Sequence, residues 1–216
     1  MISGDLESSG SKIKEREHDV VRKPLHTFRH HALAVDEEAA QAPTGAPGSA
    51  PPAIVVMGVA GCGKSAVGIA LAAALGAVFI EGDRLHPPEN VARMASGEPL
   101  TDQLREGWLD AIGERIATSV GKGQGVVAAC SALKRSYRER LRGFCPDIVF
   151  LYLEIDQATA SKRVAGRKGH FMPASLVDSQ FAILEPPGTD EQALTIDATR
   201  PVADVVADAI RLRARS

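Results

Sequence analysis

Between Ile54 and Ser65 the chain reads Ile-Val-Val-Met-Gly-Val-Ala-Gly-Cys-Gly-Lys-Ser. An apolar run leads to Gly58, four residues intervene, and Gly63, Lys64 and Ser65 follow. That is the G-x-x-x-x-G-K-[ST] spacing. The apolar run reads as a buried strand, and Ala66 to Leu75 reads as a helix. Gly58, Gly61 and Gly63 let the backbone turn tightly with its N–H groups pointing inward. The helix N-terminus adds a partial positive charge at the same spot. Gly58, Val59, Ala60, Gly61, Cys62, Gly63, Lys64, Ser65 and Ala66 are therefore a candidate cradle for nucleotide phosphates. Lys64 would reach the outer phosphates and Ser65 would hold Mg²⁺. The competing reading is a Gly-rich turn that carries a surface lysine.

From Ala53 onward, strand and helix patterns alternate. Strands are expected at Ala53 to Met57, Ala77 to Ile80, Val126 to Cys130, Ile148 to Ile155 and Ala193 to Ile196. A loop, Glu81 to Pro88, leads to a short helix over Glu89 to Ser96. Further helices are expected over Asp102 to Val120, Lys134 to Arg142 and Pro173 to Leu184, and one that Asp156 caps runs to about Ala165. The last helix runs to Arg213, with Thr199 as its cap and Pro201 as its first residue. The expected architecture is α/β: a parallel five-stranded sheet with helices on both faces. Residues 53–216 form this domain, with a basic, Gly-containing loop at about 166–172.

Residues 1–52 differ in texture. They begin charged and Ser-rich, and Glu15 to Arg22 reads as a short helix. Ala39 to Pro52, made of Ala, Pro, Gly, Ser, Thr and Gln, reads as a flexible linker. His18, His26, His30 and His31 lie in this leader without cysteines or regularly spaced carboxylates, so a solvated tail is preferred to a metal site.

A net charge of −2 over 216 residues gives no sign of a nucleic-acid surface. No apolar run approaches the roughly 20 residues a membrane helix needs. Cys62, Cys130 and Cys145 lack metal-site spacing, and reduced thiols in a cytoplasmic setting are expected. Cys62 is either a small filler of the loop or a thiol made reactive by the helix N-terminus.

In an open α/β sheet, ligands bind beyond the carboxyl ends of the strands. Glu81-Gly82-Asp83 sits there, so its carboxylates should face whatever the phosphate loop binds. Asp83 is the candidate general base, accepting a proton from a substrate hydroxyl. Glu81 is a candidate Mg²⁺ contact, through water. His86 either orients a substrate hydroxyl or packs the turn. Lys134, Arg135, Arg138, Arg140 and Arg142 make a basic helix; a charge run is usually a solvated face, but its first members start at the ligand edge. Arg163, Arg167, Lys168 and His170 cluster in and before the basic loop. Arginines on a loop that closes over phosphates would stabilise the transferring charge.

The sequence resembles the gluconokinases among P-loop small-molecule kinases. The resemblance rests on Met57-Gly58-Val59 with Gly61-x-Gly63-Lys64-Ser65, and on Glu81-Gly82-Asp83-x-x-His86-Pro87. It continues in Asn90, Met94-Ala95-Ser96-Gly97-Glu98-Pro99-Leu100 and Cys130-Ser131-Ala132-Leu133-Lys134-Arg135-x-Tyr137-Arg138. Arg167-Lys168-Gly169-His170-Phe171, Gln180-Phe181 and Leu184-Glu185-Pro186 complete it. It implies ATP-dependent phosphorylation of D-gluconate to 6-phosphogluconate, a nucleoside-kinase-like three-layer fold with a small lid, and commonly a homodimer. On that resemblance Lys64, Asp83 and Arg167 are the catalytic candidates. Arg163 and Arg167 join the loop in binding ATP. Asp83, His86, Arg105, Lys134, Arg138 and His170 are the candidates for gluconate. One stretch departs from the family pattern. After Leu100 the family usually shows Asp-x-Asp-Arg-x-Pro-Trp-Leu, and this chain has Asp102-Gln103-Leu104-Arg105-Glu106-Gly107-Trp108-Leu109. The second acid is Leu104 and the proline is Gly107. The alternatives are another kinase of this architecture, acting on shikimate or a nucleotide, and a non-catalytic nucleotide-binding module. A GTP-dependent switch would carry an Asn-Lys-x-Asp motif, which this sequence lacks.

Overall fold

Ala53–Met57 is a strand, β1, with all five residues buried. The computed structural model describes residues 52–166 and 175–214. Nearly all of the leader lies outside the described residues, with the Glu15 to Arg22 helix and the histidines expected there. So do Arg167, Lys168, His170 and Phe171 of the basic loop, and the Pro173 start expected for the helix beyond it.

After β1 come α1 (Lys64–Leu75), β2 (Val78–Glu81), α2 (Pro88–Ala95), α3 (Asp102–Gly121) and β3 (Val126–Ala129). Then follow α4 (Arg135–Phe144), β4 (Val149–Glu154), α5 (Gln157–Ala165), α6 (Ser175–Ile183), β5 (Ala193–Asp197) and α7 (Val202–Arg213). The strands make one five-stranded sheet in the order β2-β3-β1-β4-β5. Every pairing is parallel, with Val55 opposite both Ala128 and Phe150.

Alternate residues of β1 serve opposite faces of the sheet, as strand geometry requires. Ile54 and Val56 join one apolar cluster with Val67 and Leu71 of α1, Val164 of α5 and Val205 of α7. Ala53, Val55 and Met57 join another with Trp108, Ile112 and Ile116 of α3 and Leu141 of α4. The result is the three-layer fold expected. Each Val, Leu or Ile buried in it contributes roughly 1.5–3 kcal/mol.

Several boundaries differ from expectation. β2 runs on to Glu81 because that residue still pairs with Ala129. A 3-10 turn, Gly82–Leu85, replaces the start of the expected loop. Lys134 precedes α4 rather than beginning it. Thr199 does not cap α7: its N–H and hydroxyl both donate to Asp197 Oδ1, at 2.8 and 2.7 Å. Those two bonds close a turn after β5. Pro201 takes the cap position in an extended conformation (φ −54°, ψ 141°), and the helix begins at Val202. Asp156 does cap α5, accepting from the Thr159 N–H at 2.8 Å.

Two close approaches fix where the strand ends deliver their residues. A Cβ at Gly82 would sit 2.3 Å from the Ala129 carbonyl oxygen, and one at Gly61 would sit 2.6 Å from that of Ala160. Only glycine allows β2 to turn so tightly against the end of β3, and that turn carries Asp83 to the sheet's carboxyl edge.

Candidate active site

The loop between β1 and α1 is held open by backbone conformation. Gly58, Gly61 and Gly63 take φ values of 135°, 86° and 100°, in or near the left-handed region that favours glycine. Gly63 caps α1 without any side-chain hydrogen bond, so the first N–H groups of the helix remain for a ligand. Gly58 N–H donates to the Ser131 carbonyl at 3.2 Å, tying the loop to the segment after β3. Lys64 Nζ donates to the Val59 carbonyl at 3.0 Å and lies folded along the loop. Arg163 braces the loop from α5, donating to the carbonyls of Ala198 at 3.0 Å and Gly61 at 3.4 Å. With Thr159, Lys162, Gly63 and Gly166, Gly61 and Arg163 line a shallow groove beside the loop.

A cleft opens at the same edge. Lys64, Ser65, Asp83, His86, Arg105, Ser131 and Gln180 line it, with Met94, Leu100, Leu133 and Leu176 as its apolar wall. Phosphate loop, post-β2 carboxylate and one arginine of α3 thus converge on one space.

His86 stacks on Trp108 with ring centroids 4.1 Å apart and planes at 12°. Trp108 is itself fixed, its Nε1–H donating to the Gly82 carbonyl at 2.7 Å. Burial pushes the imidazole pKa down to about 4; Asp83 opposes that shift and Arg105 adds to it. His86 is therefore neutral at pH 7, and its buried Nδ1 has no hydrogen-bond partner among the described residues. A buried polar atom without a partner carries a desolvation cost that a ligand hydroxyl would relieve.

Arg105 is only 12% exposed at its side chain. Its Nη1 donates to the Tyr137 hydroxyl at 3.2 Å, and Tyr137 donates to Asp102 Oδ1 at 2.5 Å. Lys134 does not line the cleft. Its Nζ donates to both Asp102 oxygens, at 2.9 and 2.7 Å. Arg138 also departs from expectation. Its side chain is 1% exposed and forms a two-point pair with Glu191, both contacts at 2.7 Å. It also donates to the carbonyls of Ala132 and Glu185, at 3.2 and 3.0 Å. Its charge is spent on holding the segment before β5 against α4, away from the cleft. Glu81, the last residue of β2, lies outside the cleft lining.

Two features escaped sequence reasoning. Gln180 of α6 accepts the Ala60 N–H at 2.7 Å, so a helix 120 positions away touches the phosphate loop. Its place in a Gln-Phe pair was visible, but its partner was not. Trp108, the chain's single tryptophan, forms the floor on which His86 rests. Leu104 packs with Met94, Leu100 and Leu176 behind the apolar wall. Its carbonyl accepts from Asn90 Nδ2 at 2.8 Å.

A family model described as an AAA domain matches residues 54–187. The chain is 46% identical over 164 residues to a gluconokinase of Gluconobacter oxydans, covering 76% of this chain and 92% of that one. It is 42% identical to the thermoresistant gluconokinase of Escherichia coli, over 73% of this chain and 91% of that protein. Among solved structures, a gluconokinase from Sinorhizobium meliloti superposes with a TM-score of 0.69 at 47% identity, covering 78% of this chain and 94% of the other. An unliganded sugar kinase from Janibacter superposes with a TM-score of 0.72 at 39% identity, over 74% and 93% of the two chains.

Proposed function

The chain belongs to the gluconokinase family, and from that premise we infer that it transfers the γ-phosphoryl group of ATP to D-gluconate. The product is 6-phospho-D-gluconate. The observation that carries the residue assignment is the convergence of Lys64, Ser65, Asp83 and Arg105 on one cleft.

The phosphate loop and the start of α1 hold the triphosphate, with Lys64 leaving Val59 to meet the outer phosphates. Ser65 lines the cleft and offers a hydroxyl, a hard oxygen donor that fits Mg²⁺. When bound, Mg²⁺ neutralises charge on the β- and γ-phosphates. Glu81, outside the cleft, would reach it only through water. Asp83 orients the acceptor hydroxyl and takes its proton as the phosphoryl group moves. His86, neutral, offers Nδ1 to a second hydroxyl. Arg105 meets the acceptor carboxylate, a pairing suited to the planar guanidinium. Arg167 is assigned to the phosphates and His170 to gluconate on the resemblance of their sequence segment to the family; both lie outside the described residues. Such transfer depends on positioning and charge stabilisation more than on covalent help.

The kinase domain in this reading is residues 53–216, with residues 1–52 dispensable for transfer and a homodimer as the assembly. A coupled ADP-release assay across gluconate, related sugar acids and shikimate tests the assignment. Turnover with gluconate that falls about 10²–10⁴-fold in kcat for Asp83→Asn is the expected result. Turnover with a different acceptor and none with gluconate would overturn it. A change in KM alone would move Asp83 from base to binding group.

A further inference from the structure

Tyr137 lies on α4, outside the cleft lining, and the residue is 5% exposed. Its hydroxyl is nevertheless the hydrogen-bond acceptor for Arg105 Nη1, at 3.2 Å. A phenol carries one proton, and here it is directed at Asp102 Oδ1, 2.5 Å away. That leaves the oxygen lone pairs to receive Arg105, so the direction of both bonds is determined. Asp102 is fixed in turn by Lys134, which contacts both its oxygens. The Arg105 carbon Cζ and the Lys134 Nζ each lie 5.7 Å from the Tyr137 ring centroid. Burial and the Asp102 contact both raise the phenol pKa, so the proton stays on Tyr137.

We propose that Tyr137, backed by Asp102 and Lys134, is a positioning residue that aims Arg105 at the anionic end of the acceptor. This rests on the reading that Arg105 meets the gluconate carboxylate. An arginine side chain carries about 2 kcal/mol of rotamer entropy. One nitrogen held by Tyr137 removes much of that freedom before substrate arrives, and the rest of the guanidinium fork stays available for a carboxylate. Asp102 also faces Arg105 Nη1 directly, at 3.8 Å, so it supports the guanidinium both through Tyr137 and by its own charge, while Lys134 acts through Asp102.

The test is steady-state kinetics of the full chain with Tyr137→Phe, Asp102→Asn and Arg105→Met. Tyr137→Phe keeps the buried ring and removes only the hydroxyl. Its KM for gluconate should rise about tenfold, the scale of one hydrogen bond to a charged group. KM for ATP, saturating kcat and melting temperature should stay at wild-type values. Asp102→Asn, at an exposed position, should raise KM for gluconate by a smaller factor. In an Arg105→Met background, Tyr137→Phe should add nothing, because its effect passes through Arg105. If Arg105→Met raises KM for gluconate and Tyr137→Phe does not, the positioning role is overturned while the reading of Arg105 stands. If neither variant changes KM for gluconate, the reading of Arg105 fails and the proposal with it. A parallel rise in KM for both substrates with a lower melting temperature assigns Tyr137 to packing and also overturns the proposal.

Discussion

Replacing Arg138 by methionine separates a structural cation from a substrate-binding one. The side chain is nearly inaccessible, and its partner Glu191 is 2% exposed. Removing the guanidinium leaves Glu191 with Arg142 at 3.4 Å and the Gly188 N–H at 3.1 Å. The hydrogen bond from Arg138 is the main reason the Glu191 carboxyl lies at about 2 instead of 4.5. A carboxyl lowered that far in the folded state corresponds to about 3 kcal/mol of stability at neutral pH. Breaking a buried pair from one side costs a similar amount, about 3–5 kcal/mol. For a domain of this size that is a melting temperature lower by about 6–20 °C. The sign with pH follows from the lowered value. The stabilisation is complete above 4.5 and fades as pH falls toward 2, so the gap between wild type and Arg138→Met should narrow in acid. Urea denaturation monitored by tryptophan fluorescence measures it. The double variant Arg138→Met with Glu191→Met should recover most of the loss, because an apolar pair carries no stranded charge. KM for gluconate, measured well below the variant's melting temperature, should match wild type. A large rise in that KM with an unchanged melting temperature would refute the reasoning and return Arg138 to the acceptor.

Gly82→Ala would place a Cβ 2.3 Å from the Ala129 carbonyl oxygen, and backbone must shift to admit it; thermal melting should drop by an amount worth about 1–3 kcal/mol, with kcat falling as Asp83 is displaced. His86, with a pKa near 4 in the fold against 6.5 in the open chain, favours the folded state fully above 6.5 and progressively less as pH falls toward 4; His86→Gln should flatten that part of the stability–pH curve measured by denaturation. Lys64→Ala should abolish transfer in the ADP-release assay, because it removes the charge on the reacting phosphates, and near-normal kcat would contradict the loop assignment. Deleting residues 1–50 should leave kcat and both KM values unchanged in the same assay.

The fold was legible because its signals are local. β1 and the loop after it announce themselves by an apolar run, three glycines and Lys64. The alternation of short apolar runs with helical patterns then forces parallel pairing and two covered faces. What sequence could not supply was the competition between neighbouring groups. Thr199 is a good helix cap by type, yet the helix begins only at Val202, and Thr199 instead closes a turn onto Asp197. The strand limit at Glu81 depends on Ala129, which belongs to another segment.

The site was half legible for the same reason. Motif spacing selects residue types and places them at the sheet's carboxyl edge, and the structure brings Lys64, Ser65, Asp83 and His86 to one cleft there. It does not say which charges are already taken. Arg105, Lys134 and Arg138 are three cations of similar promise in the sequence, and partners distant in the chain sort them. Glu191, 53 residues beyond Arg138, buries that arginine as a structural tie. Asp102, 32 residues before Lys134, engages that lysine, and Arg105, held at one nitrogen by Tyr137, remains in the cleft. How much of each cation remains exposed to the cleft therefore depends on carboxylates and hydroxyls that the spacing of the motif does not reveal. Among these three cations Arg105 is the one that lines the cleft, with Asp102 at 3.8 Å from its Nη1.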